Sequence, residues 1–430
     1  MGDEPSPDPL VERPLRWAVP LAIVIALAGT GDMIFREDVR VLYETNPDIV
    51  SILGNAQRAG PGDVLGWWTG VWIERDSPYY RPLASMLLYA EYLAFGRAWR
   101  PFCVVSWLMH AGICVLILLF LTGLFDRWAP RWQVLPGLLA VAWFSLPCET
   151  TVDGPHWGNR GIARGLMPYW PAQTDLGCLL LALLSLLMWD RWLAGGRRRT
   201  LIAALAAFLG ALLFKEHAVI LPLLAAALAL HRGRSWRLAG LSGGVGLSIS
   251  GLFLAIRALL APEAWGPAYR GMGHLLTKLV AYLCEPALIA AYNGHAWLIV
   301  SGGLATACLA LALYVPRRLY LHAFGLFLAI FLPPQLLAGN IALPTLPEFA
   351  WLLGRIALTG LLLLLLWDQR RRGPALFLGA CLLIVHLPVL HVTGPHYYYW
   401  PVAWWSMLSG ALLAGLPEAL RAAKESWRSV

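Results

Sequence analysis

Long apolar runs alternate with short polar breaks along this chain. Apolar stretches occupy Trp17–Phe35, Pro82–Phe95, Phe102–Leu121, Val134–Leu146, Leu176–Trp192, Leu201–Phe214, Ala218–Leu230 and Leu238–Leu260. The pattern resumes at Trp297–Tyr314, Leu319–Leu337, Phe349–Trp367, Ala375–Leu390 and Trp400–Leu416, and His274–Asn293 reads as an interfacial or re-entrant helix. Runs of about 15–23 apolar residues have the length of membrane-crossing helices. The pattern therefore predicts an all-α polytopic membrane protein with about 11–13 transmembrane helices, the shorter of them leaning on neighbours to cross. Between the first two runs, Phe35 to Leu83 forms the longest polar segment, a long first extracytoplasmic loop.

Composition agrees. The chain is 59% hydrophobic and 13% charged, about half the roughly 25% charged residues of soluble domains. A soluble core could not absorb this much Leu and Ala. The 22 Trp and 14 Tyr suit interfacial belts. The net charge of +8 fits an excess of cytoplasmic cations and does not point to nucleic acid. Nearly all the cations are Arg, so Lys215, Lys278 and Lys424 stand out. Seven cysteines without a CxxC pair suggest neither a disulfide framework nor a zinc site. Met1 to Arg16 is polar and Pro-rich, and the following run lacks a small-residue cleavage site, so it reads as a signal anchor.

Basic loops set the orientation. Arg191–Arg199, His231–Arg237, Arg317-Arg318, Arg370–Arg372 and Arg421–Arg428 are expected in the cytoplasm, with Arg13 and Arg16. Glu149–Pro168, Pro262–Lys278, Gly339–Glu348, Thr393–Tyr399 and the first loop then face outward. Between Arg97 and Glu149 this path is off by one crossing. The division expected is a cytoplasmic tail 1–16, a transmembrane module 17–230, a second module 231–416 and a tail 417–430. The halves do not repeat one another, which disfavours a secondary transporter.

Several polar groups sit where charge is costly and hence informative. Glu37 and Asp38 lie at the mouth of the first apolar run, either as solvated loop acids or as a partly buried carboxylate pair able to act as a general base. Tyr79-Tyr80-Arg81-Pro82-Leu83 opens the second run; Pro82 suits a first helical turn, and Arg81 could hold a phosphate as a guanidinium fork or simply snorkel. His110 lies inside the third run, as a packing residue or a site-lining one. Glu149, Asp153, His156, Arg160 and Arg164 form a second polar island, either a further part of a site or an amphipathic connector. Lys215-Glu216 interrupts an apolar stretch, and neighbours about 100° apart on a helix should find different partners. His396 and Tyr397 open the last run, where an aromatic belt also accounts for them.

The order of these motifs carries a resemblance. An acid pair after the first run, a long loop, Tyr79-Tyr80-Arg81-Pro82-Leu83, His110, Pro147-Cys148-Glu149 with Gly158-Asn159-Arg160, and Lys215-Glu216 before an apolar run together resemble the GT-C superfamily of membrane glycosyltransferases. Nearest in style are the polyprenyl-phosphate-mannose–protein mannosyltransferases and related transmembrane O-mannosyltransferases. The likeness spans roughly residues 17–230. Phe35-Arg36-Glu37-Asp38 departs from the family's Phe-x-Trp-Asp-Asp, and the family's first His before Glu149 is absent.

The resemblance implies a GT-C-like bundle and an inverting transfer. A sugar would move from a polyprenyl-phosphate donor to an acceptor hydroxyl of a protein, lipid or glycan, on the periplasmic face of a bacterial inner membrane. Asp38, with Glu37 second, would take the hydroxyl proton. Arg81, Arg160, Arg164 and Lys215 would bind the donor phosphate. Tyr79, Tyr80, His110, Glu149, His156, Glu216, His396 and Tyr397 would line the site. No metal or other cofactor is expected, since a lipid phosphate leaves without one. A lipid-linked-sugar flippase and a catalytically inactive scaffold are the alternatives.

Overall fold

A computed structural model describes residues 9–73, 79–125, 133–145, 168–260, 372–387 and most of 399–414. Among the described residues the chain is helical and no strand occurs. Among the described residues three segments are long and apolar enough to cross a membrane: Trp99–Leu124, Trp170–Leu193 and Trp236–Leu260. The apolar runs between 261 and 371, including His274–Asn293, lie outside the described residues.

The first helix, α1 (Pro9–Thr30), begins within the segment read as a polar tail. Ala18, Ala22 and Ala26 recur every fourth residue and are fully buried, while Trp17, Leu21 and Val24 face outward. Small residues at that spacing let α1 lie close against two partners, α6 (Trp99–Leu124) and α7 (Leu135–Ser145). Here α7 runs antiparallel to α6. A Cβ on Gly137 would stand 2.9 Å from the Leu118 Cα, and Ser145 reaches His110. The helical stretch within 399–411 packs on the same pair, with Trp404 edge-on to Phe120 and Gly410 against the Pro136 carbonyl.

The other half of the bundle is two helical hairpins. In the first, α8 (Gln173–Leu193) and α9 (Arg198–Phe214) touch along their length. Gly177 permits this, because a Cβ there would meet the Phe214 ring at 2.5 Å. In the second, α10 (Leu221–His231) pairs with α11 (Trp236–Leu260), and the turn passes through Gly233 at φ +70°. The helix α12 (Arg372–His386) packs on α10, where Phe377 stacks on His231. The basic turns form a clasp. Arg232 grips both Asp190 oxygens at 2.7 and 2.6 Å and the Gly123 carbonyl at 2.9 Å, and Arg234 donates to the Leu193 carbonyl. The ends of α6, α8 and α10 thus meet at one end of the bundle, the basic end.

The first loop covers the opposite end. It folds as α2 (Glu37–Thr45), α3 (Pro47–Arg58), α4 (Pro61–Thr69) and α5 (Pro82–Phe95). Asn46 caps α3 by accepting from the Asp48 and Ile49 amides, and Gly60 donates to Asp63 at the start of α4. The run Pro82–Phe95, expected to cross as the second span, does not leave this end. At its start Arg81 meets Glu216, in its middle Glu91 meets Trp170, and at its close Phe95 contacts Phe102. Tyr89 and Arg97 hydrogen-bond back to Ala59 and Gln57. Its 14 residues span about 21 Å, short of a hydrocarbon core of about 30 Å. A run that does not fully cross is one of the two expected accounts of the odd crossing; the other, a dip of 155–168 into the bilayer, falls on residues almost all outside those described.

One consequence concerns labelling. Single cysteines replacing the exposed Thr69 and Ala98 bracket α5. Both should react with a membrane-impermeant maleimide from the same side of sealed vesicles. Reaction from opposite sides would show that α5 crosses.

Candidate functional site

The site grows from a break in an apolar stretch. Helix α9 ends where Lys215 turns to extended backbone, at φ −160° and ψ 143°. A short 3-10 turn, Glu216–Ile220, follows, and Pro222 then starts α10. The break, rather than helical spacing, turns the two adjacent charged side chains to the different partners that were expected. Lys215 Nζ donates to both Asp175 oxygens, each at 2.6 Å. Arg81 donates to Glu216 through Nε at 3.2 Å and Nη2 at 2.9 Å.

Both pairs are shielded from solvent. The side chains of Lys215 and Asp175 are 1% and 2% exposed, that of Arg81 5%, and Glu216 is the most open at 22%. Charges so placed lose several kcal/mol of hydration each and persist only when well paired. The Arg81 guanidinium also lies over the Tyr79 ring at 4.0 Å and the Trp72 ring at 5.1 Å. A third cation, Arg257 of α11, is buried and within electrostatic reach of Glu216. Among the described residues the cluster therefore holds Lys215, Arg81 and Arg257 with Asp175 and Glu216.

Local hydrogen bonds hold the loop over this cluster. The Trp72 amide donates to the Tyr79 carbonyl at 2.8 Å, and the Ile73 amide to Ser85 Oγ at 3.0 Å. Asn55 Nδ2 donates to the Ile73 carbonyl at 2.9 Å. Arg81 is the N-cap of α5, with Pro82 in its first turn as the sequence suggested. The Tyr80 hydroxyl donates to the Trp68 carbonyl and its ring meets Phe253 of α11. Burial pushes its phenol above the ordinary value.

Of the residues singled out from sequence, the structure brings together Tyr79, Tyr80, Arg81, Lys215 and Glu216. His110 is fully buried, with Nδ1 2.6 Å from the Tyr399 hydroxyl and Nε2 3.2 Å from Ser145 Oγ, and Tyr399 is within electrostatic reach of Asp175. Glu37 is exposed on α2 and pairs with Arg40 at 3.2 Å and Arg100 at 3.7 Å. Asp38 is the second residue of α2, and its side chain lies outside the described part of the structure. Glu149, His156, Arg160, Arg164, His396 and Tyr397 also lie outside the described residues. Among the described residues no three His, Cys, Asp or Glu side chains converge as metal ligands.

Sequence reading missed three charged groups. Asp175 holds Lys215, Arg257 faces Glu216, and Glu91 is buried beneath the loop. Each had a signal, a charge within or at the edge of an apolar run. Comparison with protein-family models, with curated proteins and with solved structures finds no match.

The buried pairs make a measurable demand. Asp175→Asn leaves Lys215 charged and underpaired, and should destabilise the folded protein by about 3–5 kcal/mol. Joining it to Lys215→Met should recover much of that loss. Thermal unfolding in detergent of the single and double variants tests this; equal, additive losses would contradict the pairing.

Proposed function

We propose that this chain is a membrane glycosyltransferase that moves a sugar from a polyprenyl-phosphate donor to an acceptor hydroxyl on the extracytoplasmic face. One observation carries the reading: among the described residues three cations are gathered at the loop-covered end of an apolar bundle, with Arg81 flanked by aromatic rings. A lipid-linked phosphate has its charge at this depth and its chain among the helices. The order of sequence motifs supports the same donor class.

In this mechanism the acceptor oxygen attacks the anomeric carbon. The bond from that carbon to the phosphate oxygen breaks, and the electron pair leaves with the polyprenyl phosphate. Asp38 takes the hydroxyl proton. Glu37 is the weaker choice of base, because it is exposed and shared between two arginines. Arg81 passes from Glu216 to the donor phosphate, stabilising the charge that develops on the leaving group. Lys215 stays fixed by Asp175 and adds positive potential from behind. Arg160 and Arg164 would add further cations from the 147–167 segment.

The assay is slow hydrolysis of a polyprenyl-phosphate sugar by the purified protein in water. Asp38→Asn should lower the rate by about 10²–10⁴, the usual worth of a general base, while donor binding stays. Unchanged turnover in Asp38→Asn combined with Glu37→Gln would overturn the assignment of the base. Donor binding without any hydrolysis or transfer by the wild-type protein would favour a flippase or scaffold.

A further inference from the structure

A groove separates the two helical hairpins, away from the cluster used in the proposed transfer. Leu205 and Phe208 of α9 form one wall, Val245 and Gly246 of α11 the other, and α8 and α10 close its floor. Within each hairpin the helices touch: a Cβ on Gly210 would stand 2.9 Å from Leu181, and one on Gly246 2.7 Å from Pro222. Between the hairpins, α9 and α11 share no such seam. Ile202, Leu209 and Leu241 beside the groove are exposed, so it opens on the apolar outer surface of the bundle.

The lining selects hydrocarbon. Its two serines spend their protons on the backbone, Ser185 Oγ on the Ala204 carbonyl at 2.8 Å and Ser242 Oγ on the Leu238 carbonyl at 2.7 Å. The space is about 380 Å³ with its open side included. A helix about 10 Å across and two turns long would need roughly twice that, whereas a single hydrocarbon chain is slender enough to enter.

The two ends of the groove differ in charge. Towards the ion-pair cluster it is closed, because the 3-10 turn 216–220 touches both α9 and α11 and Ser250 Oγ donates to the Val219 carbonyl at 3.1 Å. The cations there, Lys215 and Arg81, are buried and already paired. At the other end both walls begin with arginine. Arg198 lies seven residues before Leu205 on the same stripe of α9, about 10 Å along the helix. Arg237 lies five residues before Ser242 on α11, about 8 Å along it. Both arginines are exposed, as is Arg199. Neither helix has an acid in its first turn, so cations stand at two positive helix ends, where an anion is favoured instead. Among the described residues the acid at this end, Asp190, is taken by Arg232.

We propose that the groove binds one acyl chain of an anionic glycerophospholipid, whose phosphate meets Arg198 and Arg237 at the basic end. The guanidinium fork matches phosphate oxygens, and basic pockets between membrane helices hold anionic headgroups. The lining residues lie about 8–10 Å from the arginines, within the half-thickness of about 15 Å of one leaflet's hydrocarbon. Head and chain thus have separate partners on the same two helices. The lipid joins the hairpins along the side where α9 and α11 do not pack.

Melting of the purified full chain, in detergent alone and in mixed micelles with dioleoylphosphatidylglycerol or dioleoylphosphatidylcholine, tests this. A ligand that binds only the folded protein raises its melting temperature. The phosphatidylglycerol shift should be at least twice that of phosphatidylcholine. Arg198→Gln combined with Arg237→Gln should melt as the wild type does in detergent alone and lose the difference between the lipids. Val245→Trp fills the groove from a half-exposed wall and should also lose the shift. Leu205→Trp does so from the opposite wall, and serves if Val245→Trp does not fold. Equal shifts with both lipids would overturn the proposal. So would a phosphatidylglycerol shift that survives both tryptophan variants, since the arginines alone would then suffice. No shift with either lipid, the result if another segment of the chain covers the groove, would overturn it as well.

Discussion

An ammonium and a guanidinium cannot stay charged inside an apolar bundle without a carboxylate against each of them. The rest of this structure is arranged around that demand. Lys215 and Glu216 are adjacent, yet their partners come from α8 and from the end of the first loop. The helix must therefore break between α9 and α10, and the loop must return to the bundle at Arg81. Removing either acid would leave a buried cation, so three separate segments are locked to one place by electrostatics rather than by apolar packing alone.

Two further arrangements follow from this anchor. The first is α5, which begins at Arg81 and lies across the bundle end instead of crossing, its polar residues bonded to the loop and to Trp170. The second is the clasp at the opposite end, where Arg232 joins α6, α8 and α10. Between these ionic ends, close approach at Gly137 and Gly177 sets the helices together. Apolar side chains supply the contact area, and the charges decide which helix ends meet.

Much of this was legible in the sequence, and the unread part has physical causes. Periodicity and composition marked the apolar runs, because membrane-length helices need long uninterrupted stretches. That Lys215 and Glu216 find different partners was expected from helical spacing, and the structure achieves it by a break at Lys215 instead. The identity of those partners was not legible, because Asp175 and Arg81 are distant in the chain from Lys215 and Glu216. Hydropathy alone also made Pro82–Phe95 look like a span; its length and its buried Glu91 were the contrary signals. His110 read as a packing residue or a site-lining one, and its partners Tyr399 and Ser145 are too distant in the chain to be read from sequence.

The central claim is that the cation cluster receives a lipid-linked phosphate, with Arg81 released from Glu216 to meet it. Binding of polyprenyl phosphate to the purified protein, compared between Glu216→Gln and Arg81→Gln, tests this most directly. If Glu216 competes with the phosphate for Arg81, Glu216→Gln should bind more tightly than the wild type and Arg81→Gln at least tenfold more weakly, about 1.4 kcal/mol. Equal weakening in both variants, or no change in either, would contradict it.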